Sequence, residues 1–294
     1  SRGMVTAAVV ALVAVLVAAG FGARLVEAAP PATFTPTVTA VSVPGAPPRI
    51  AWPAAGQAAV SVPAVGWRDS GGPVGAPAPI ASVAKVMTAY VVLQDHPIGA
   101  AEPGPSIAMT QAAVDEYRQG SAANASELPV SLGTALSERQ ALDALLVGSA
   151  NNIAHALAVW DAGSVPAFVE RMNAAAARLG MAHTTYTDPS GLPATTVSTA
   201  LDQVLLAEAA LRMPAFAAVV AQPSVALPGA GTVPNFNFLA GAGGVVGVKT
   251  GSTIAAGGCF VAAVRRSVNG VDVTAVAAVL GQRGPDLLAA GVNA

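Results

Sequence analysis

Lysine occurs at only two positions in this chain, although basic residues are found throughout it. Twelve of the 14 Lys and Arg residues are arginines, and the two lysines are Lys85 and Lys249. An arginine side chain stays charged, whereas a desolvated lysine amine can lose its proton and act as a base. The neighbours of each lysine therefore decide whether such a base has a group to act on.

Lys85 follows a serine at helical spacing, in Ala81-Ser82-Val83-Ala84-Lys85. Residues three apart share one face of a helix, so the Lys85 amine can reach the Ser82 hydroxyl. A serine hydroxyl is a weak nucleophile until an adjacent base activates it. A serine in the first helical turn also lies beside unpaired backbone N–H groups, which can stabilise an oxyanion. The S-x-x-K pattern thus predicts a serine nucleophile with a lysine base.

Two further motifs follow in order along the chain. Ser149-Ala150-Asn151 ends a predicted helix, where both polar side chains can face a cleft. Lys249-Thr250-Gly251-Ser252 lies in a strand-like run, where the lack of a side chain at Gly251 permits close approach of an extended substrate. Together, S-x-x-K, S-x-N and K-T-G form the signature of the penicillin-recognising serine acyltransferases.

Composition argues against several other classes of function. The chain has 294 residues, a net charge of −2 and no run of Lys or Arg, which argues against nucleic-acid binding. A single cysteine, Cys259, and three histidines far apart in sequence predict neither a disulfide framework nor a metal centre. The run GGVVGVKT lacks the glycine directly before its lysine that a phosphate-binding loop requires. We therefore expect no metal and no cofactor.

The N-terminal residues predict passage out of the cytoplasm. Gly3 to Ala23 is an uncharged, apolar run between Arg2 and Arg24, long enough to span a bilayer. We interpret residues 1–29 as a signal anchor, with 3–23 holding the protein to the cell membrane, or as a signal peptide whose cleavage would release it. Residues 30–48 are rich in Pro and Thr and predict an extended extracytoplasmic spacer. A catalytic domain is predicted over 49–294.

Periodicity within 49–294 predicts strands at both ends and helices between them. Short strands are expected at residues 49–53 and 57–63, and longer strands after residue 244. The predicted helices are Ser82–Gln94, Glu138–Val147, Asn152–Asp161, Val165–Leu179 and Thr199–Arg212, and the last ten residues start like another. This order predicts an α/β (α+β) fold, with an antiparallel sheet flanked by helices and an inserted helical lobe.

The chain resembles the serine-type D-alanyl-D-alanine carboxypeptidases, the low-molecular-mass penicillin-binding proteins of peptidase family S11. The resemblance runs from Trp52 to Gly281 and covers the three motifs. It also includes the segments Asp188–Leu192, Ser198–Asp202, Asn235–Leu239 and Lys249–Val261. It implies a β-lactamase/transpeptidase-like fold. The chain departs from many relatives at Asn152, where Asp is common, and at Ile254, where a polar residue is common.

The resemblance also implies a role for each motif residue. Ser82 would be the acylated nucleophile and Lys85 its general base. Ser149 would pass a proton to the leaving group and line the cleft with Asn151, while Lys249 would supply positive charge.

Substrate binding is implied for the residues around the second lysine. Thr250 would help to bind a terminal carboxylate, beside Gly251 and Ser252. The backbone N–H groups of Ser82 and Ser252 would form the oxyanion hole, and Arg283 is a further candidate for carboxylate binding.

The implied activity is hydrolysis of peptidoglycan stem peptides that end in D-Ala-D-Ala. The implied roles are in cell-wall synthesis and cell-shape maintenance, and β-lactams would inhibit the enzyme by acylating it.

Two alternative functions remain. A class A-like β-lactamase needs a Glu about 35 to 40 residues past the S-x-N motif. In this chain the corresponding window, residues 179–192, contains no Glu, and its one acidic residue is Asp188. A catalytically silent cell-wall-binding scaffold would be expected to have lost motif residues, and all are present in this sequence.

Overall fold

Short strands and helices alternate along the chain before it ends in three long strands and a short helix. The structure is a computed structural model and describes residues 48–294. Its strands are β1 (Gln57–Val62), β2 (Trp67–Gly71), β3 (Ala78–Pro79), β4 (Ser106–Ala108), β5 (Ala135–Ser137), β6 (Val197–Ser198), β7 (Ser224–Leu227), β8 (Gly231–Pro234), β9 (Val245–Thr253), β10 (Gly257–Val268) and β11 (Val271–Gln282). Its helices are α1 (Lys85–Asp95), α2 (Gln111–Ala122), α3 (Glu138–Leu146), α4 (Asn151–Ala162), α5 (Val165–Arg178), α6 (Ala200–Ala210), α7 (Pro214–Val220) and α8 (Leu287–Val292), with 3₁₀ helices at Pro63–Val65 and Ala81–Ala84.

The main sheet joins the two ends of the described chain. Its five strands have the order β2-β1-β11-β10-β9, and every pair is antiparallel. Strand β1 pairs with β11 in a register that sets Ser61 opposite Val276, so the first strand closes against the last. Helices α1 to α7 come from the chain between β2 and β9. The predicted fold class, an antiparallel sheet with an inserted helical lobe, is therefore confirmed.

Helix α1 forms the centre of the core. All of its residues from Lys85 to Leu93 are buried, and it packs against α4, α3, α5 and α6. A helix with apolar residues on every side removes its apolar surface from water only when it is buried on every side. Fully buried large side chains such as Leu142, Ile153 and Phe168 surround it. The turn that precedes α1 is consequently attached to a helix that is buried over most of its length.

Side-chain caps set several helix boundaries. Ser137 and Gln140 form a capping box at the start of α3, in which each side chain bonds the other residue's backbone N–H. Ser164 caps α5, and Thr199 caps α6 by accepting from the N–H of Asp202. These caps agree with the predicted starts of the three helices to within a residue or two.

Three local predictions were wrong or incomplete. Residues 49–53 do not form a strand: the indole of Trp52 packs against Gly71, and Pro53 has no N–H to give to a ladder. Helices α2 and α7 were not predicted. The predicted helix that begins at Ser82 starts instead as the 3₁₀ helix Ala81–Ala84 and becomes α-helical at Lys85.

The predicted N-terminal segments lie outside the described residues, apart from Pro48. Pro47–Ala294 form one compact unit, and the division of the chain at residues 29 and 48 stays a prediction. Within the described part, no single helix combines the length and apolar character needed to cross a bilayer, and α6 with α7 does so only as a pair bent by 115°.

A buried carboxyl group without a partner lies at the start of α3. Glu138 is fully buried, and within the described residues neither of its carboxyl oxygens has a hydrogen-bond partner. Burial raises its pKa from 4.5 to about 7. The folded state therefore favours the neutral acid, and ionisation of Glu138 works against folding.

We expect Glu138→Gln to stabilise the protein at pH 8 and to have little effect at pH 4.5. A raised folded-state pKa gives stability that is present below the unfolded pKa and is lost as the pH rises to about 7. The loss amounts to roughly 3 kcal/mol, and a glutamine does not incur it. Urea unfolding at the two pH values measures the difference. Glu170→Gln, at an exposed position, is the control, and a Glu138→Gln variant with the wild-type pH dependence would contradict the prediction.

Candidate active site

Ser82 lies in a strained turn directly before α1. Its predecessor Ala81 has a φ of +48°, in the left-handed region that residues with a Cβ rarely adopt. The 3₁₀ helix Ala81–Ala84 leaves Ser82 half-buried while Ala81, Val83 and Ala84 are buried. Backbone strain of this kind persists where the surrounding structure holds it, and it is concentrated at functional sites. The turn thus presents one hydroxyl from an otherwise apolar segment.

Lys85 directs its amine at that hydroxyl. Lys85 Nζ lies 2.9 Å from Ser82 Oγ, and it also donates to Asn151 Oδ1 at 2.7 Å and to the Ser190 carbonyl at 2.9 Å. The side chain is fully buried. Burial lowers the pKa of Lys85 to about 7, although the negative charges of Asp188, Glu127 and Glu116 oppose this shift. At neutral pH a substantial fraction of the amine is therefore unprotonated and can accept the proton of Ser82.

The second motif connects α3 to α4. Ser149 has a φ of +57°, which turns the chain sharply between the two helices. Its side chain is 4% exposed and lines a small pocket of about 100 Å³ together with Ser82 and Thr250. Asn151 is the first residue of α4, and its backbone N–H donates to the Ser126 carbonyl at 2.8 Å. The motif therefore places the Ser149 hydroxyl at the pocket and the Asn151 side-chain amide in hydrogen-bond contact with Lys85.

Residues of the third motif also line the pocket. Thr250, Gly251 and Ser252 of β9 line it, and the neighbouring Lys249 is 1% exposed. Within the described residues the Lys249 amine makes one hydrogen bond, to the carbonyl of Thr250 at 3.0 Å. Burial, and secondarily the charge of Lys85, lower the pKa of Lys249 well below its ordinary value. A buried amine with so few partners is suited to receive an anionic group of a ligand.

Gly251 allows β9 to approach the serine turn. A Cβ at this position would lie 2.7 Å from the backbone nitrogen of Ser82 and 2.9 Å from that of Val83. Both atoms belong to the backbone and have little freedom to move away. The strand can therefore lie against the N–H of Ser82 only because residue 251 has no side chain.

We expect Gly251→Ala to lower the rate of acylation by penicillin by about 10²-fold, because it displaces β9 from the Ser82 N–H that would stabilise the oxyanion. Stopped-flow or quenched-flow acylation assays measure the rate. Gly75→Ala is the matched control, since a Cβ at Gly75 meets open space. A Gly251→Ala rate within twofold of the wild type would show that this close approach does not matter.

Glu127 was missed by the sequence analysis. Its carboxylate accepts from Asn151 Nδ2 at 3.2 Å and from the backbone N–H of Asn152 at 2.7 Å. Because the amide nitrogen of Asn151 is bound to Glu127, its oxygen must face Lys85. Burial raises the pKa of Glu127, and these hydrogen bonds oppose the shift. No motif in the sequence marks this residue, since its role depends on a loop folding back onto α4.

Arg283 directly follows β11, and its side chain reaches the turn between β9 and β10. Its guanidinium donates to the carbonyl of Ile254 at 2.8 Å and to that of Ala255 at 3.3 Å. The residues that line the pocket of Ser82 do not include it. Its predicted carboxylate-binding role stays a prediction, while its hydrogen bonds hold the turn that follows Ser252 and the end of β9. Within residues 48–294, no three His, Cys, Asp or Glu side chains are grouped so that they could hold a metal ion.

Sequence comparisons show which known proteins this chain is similar to. The model of the D-alanyl-D-alanine carboxypeptidase family, peptidase family S11, matches residues 75–284. The chain is 36% identical over 160 residues to the D-alanyl-D-alanine carboxypeptidase DacB2 of Mycobacterium tuberculosis, covering 52% of this chain and 55% of that protein. It is 32% identical over 192 residues to a D-alanyl-D-alanine endopeptidase of Escherichia coli, covering 62% of this chain and 58% of the relative. The matches thus span about half the length of the curated relatives.

Solved structures show the same fold over a larger share of the chain. The Streptomyces K15 DD-transpeptidase superposes with a TM-score of 0.70 at 26% identity, covering 80% of this chain and 92% of that one. The D-alanyl-D-alanine carboxypeptidase from Mycobacterium tuberculosis H37Rv superposes with a TM-score of 0.67 at 30% identity, covering 84% and 87%. The sheet and helical lobe described above are therefore those of DD-peptidases.

Proposed function

Because the chain belongs to the S11 family of D-alanyl-D-alanine carboxypeptidases, we propose that it is a serine DD-carboxypeptidase that acts through an acyl-enzyme on Ser82. Its substrate would be a peptidoglycan stem peptide that ends in D-Ala-D-Ala. The observation that carries the proposal is the 2.9 Å contact between Ser82 Oγ and the buried Lys85 amine, whose pKa is lowered to about 7. This pair provides a nucleophile and a base that functions at neutral pH.

Acylation begins when the unprotonated Lys85 amine takes the proton of Ser82. The Ser82 oxygen then attacks the carbonyl carbon of the penultimate D-Ala, and the negative charge moves to the carbonyl oxygen. The N–H groups of Ser82 and Ser252 stabilise that oxyanion. The C–N bond breaks as the leaving nitrogen receives a proton through the hydroxyl of Ser149. Free D-Ala departs, and the peptide stays attached to Ser82 as an ester.

Deacylation transfers the acyl group from Ser82 to water. Water attacks the ester carbonyl and loses a proton to the base. The bond between the carbonyl carbon and Ser82 Oγ then breaks, and Ser82 takes up a proton, which restores the starting state. An amine acceptor in place of water would give transpeptidation. Both outcomes use the same residues, so the partition depends on which nucleophile reaches the acyl-enzyme first.

Lys249 and Thr250 would bind the carboxylate of the terminal D-Ala. The buried Lys249 amine lacks a carboxylate partner among its described hydrogen bonds, and an arriving substrate supplies one. Burial lowers the pKa of Lys249, and the arriving carboxylate would favour the protonated, positively charged amine again. Gly251 and Ser252 complete the wall along which the extended peptide would lie, and Arg283 is a further candidate for the carboxylate.

A β-lactam would acylate Ser82 as a mimic of D-Ala-D-Ala and would leave slowly. Rapid β-lactam turnover is disfavoured because Asp188, the acid in the sequence window of the class A deacylating Glu, is already engaged. It accepts from His155, from the Ser190 hydroxyl and backbone, and from Gly191. Burial would raise its pKa, but these interactions lower it to about 2. Such a carboxylate is a poor general base for removing a proton from water.

We also propose that the enzyme acts outside the cytoplasm, held at the membrane by residues 3–23. The apolar run and the spacer that follows it support this location, which suits a substrate in the cell wall. A role in peptidoglycan synthesis and cell shape follows from that placement. Cell fractionation, with detection of the protein in membranes and in the medium, distinguishes an uncleaved anchor from a secreted form.

The direct test of activity is release of D-alanine from a peptide that ends in D-Ala-D-Ala. We expect release that benzylpenicillin blocks, and none from the matched peptide that ends in L-Ala-L-Ala. A folded protein that releases no D-Ala and does not react with penicillin would favour the silent scaffold. Rapid destruction of penicillin without peptide cleavage would favour a β-lactamase.

A further inference from the structure

Behind Lys85, a histidine bridges two carboxylates. His155 Nδ1 lies 2.5 Å from Glu116 Oε1, and its Nε2 lies 2.7 Å from Asp188 Oδ2. The histidine projects from α4, Glu116 from α2 and Asp188 from the loop before β6. Both ring nitrogens can donate at once only when the imidazole is protonated. The cluster is therefore a carboxylate–imidazolium–carboxylate chain.

The second oxygen of Asp188 organises a turn that contacts the catalytic pair. Asp188 Oδ1 accepts from the backbone N–H groups of Ser190 and Gly191, both at 2.8 Å, and from the Ser190 hydroxyl at 2.5 Å. The carbonyl of Ser190 in turn accepts from Lys85 Nζ at 2.9 Å. A Cβ at Gly191 would lie 2.0 Å from the carbonyl oxygen of Ala81, so this turn packs directly on the serine turn. The position of Asp188 thus determines one of the three hydrogen bonds of the Lys85 amine.

Helix α4 holds Lys85 by two routes. Asn151 and His155 are four residues apart and therefore share one face of the helix. Asn151 accepts directly from Lys85 Nζ at 2.7 Å, whereas His155 acts through Asp188 and the Ser190 carbonyl. A shift of α4 would disturb both contacts together. His155 therefore links the helix to the turn on the other side of the amine.

The charge of His155 also matters for Lys85. The titratable groups around the Lys85 amine are Asp188, Glu127 and Glu116, which favour its protonated form, and Lys249 of β9, whose pKa it lowers in turn. Burial alone would lower the pKa of His155, but its bonds and charge contacts with Asp188 and Glu116 raise it to about 9. At neutral pH the imidazolium therefore offsets one of the two negative charges that it bridges.

We propose that His155 is a positioning residue for the acylation reaction, an inference that rests on the function proposed above. Held between Glu116 and Asp188, it fixes the turn that binds the Lys85 amine, and its positive charge limits the field by which the carboxylates favour protonated Lys85. Without the imidazolium the Lys85 amine keeps its proton to a higher pH and serves less well as the base.

The test is the pH profile of acylation by benzylpenicillin, from pH 5 to 9, for the full chain and three variants. His155→Gln removes a positive charge near Lys85, so the acidic limb is expected to move to higher pH by about half a unit or more. On that limb, half a unit corresponds to an approximately threefold slower acylation at a given pH. Glu116→Gln removes a negative charge while leaving His155 bound to Asp188, and the limb is expected to move to lower pH. His183→Gln, at an exposed histidine, is expected to leave the profile unchanged.

Opposite shifts for His155→Gln and Glu116→Gln would support the proposal, because a purely structural disturbance would lower the rate in both without moving the limb in opposite directions. If His155→Gln does not fold, the shift in Glu116→Gln decides alone. Acylation profiles of both variants that superpose on the wild type would overturn this inference and leave the proposed function intact. A wild-type protein without an adduct at any pH would overturn the proposed function and this inference with it.

Discussion

Lys85→Met is expected to slow acylation by benzylpenicillin about 10³-fold, within the range that a positioned general base contributes. The methionine keeps the volume of the buried side chain but cannot take the proton of Ser82. Ser82 Oγ would lose the amine that lies 2.9 Å away and is held there by Asn151 and Ser190. The second-order rate constant of adduct formation, followed by mass spectrometry, measures the effect.

Lys85→Arg is the informative companion, because arginine retains the positive charge and cannot deprotonate. If Lys85 acts as a base, the arginine variant should be as impaired as the methionine variant. A near-wild-type rate in Lys85→Arg would mean that the residue contributes only positive charge. Thermal unfolding of both variants shows whether the core around α1 remains folded.

Lys249→Met is expected to remove most of the preference for a substrate with a free carboxylate. For the wild type we expect a peptide that ends in a D-Ala carboxylate to be cleaved with a kcat/KM about 10²-fold higher than the same peptide with a C-terminal amide, since a buried charged hydrogen bond is lost with the amide. The variant lacks the buried amine that would bind the carboxylate and should cleave both peptides at similar, low rates. Release of D-alanine and of D-alaninamide provides the two measurements.

The carboxylate and amide peptides make this prediction specific. A general disturbance of β9 would lower both rates and preserve their ratio. Preservation of the wild-type ratio in Lys249→Met would therefore contradict carboxylate binding by Lys249 and would direct attention to Arg283, whose side chain binds the turn after β9.

Much of the candidate site could be predicted because its residues lie in short local patterns. The spacing of Ser82 and Lys85 places one beside the other on a helical turn whatever the rest of the chain does. The strand pattern of β9 indicated that Gly251 could let an extended substrate approach closely, whereas the structure shows the backbone of Ser82 in close approach there, a long-range contact that the sequence did not predict. Local spacing thus predicted contacts that local geometry determines.

Glu127 and His155 could not be found in this way. Each contacts the site through residues distant in sequence: Glu127 binds Asn151 across 24 positions, and His155 binds Asp188 across 33. A lone histidine on a helix is also more often structural than functional, so the sequence alone does not mark His155 as part of the site. Only the packing of α2, α4 and the loop before β6 reveals the chain of charges.

The fold shows the same division between local and long-range information. The long strands β9, β10 and β11 were predictable from continuous β-branched and apolar runs. Helix α2 was not, because only Ala113 and Val114 of its residues are buried and Gly120 weakens the helical pattern. Its start depends on a single cap, the Thr110 side chain that accepts from the N–H of Ala113. Weakly buried helices of this kind give little hydrophobic periodicity to detect.

The central claim is that Ser82 forms the acyl-enzyme, and intact mass after mixing with benzylpenicillin tests it most directly. A time course should give a persistent adduct of one penicillin per chain in the wild type. The Ser82→Ala variant, with the same fold by circular dichroism, should give none. An adduct of equal yield in Ser82→Ala, or a folded wild-type protein that never gains the mass of penicillin, would contradict the account.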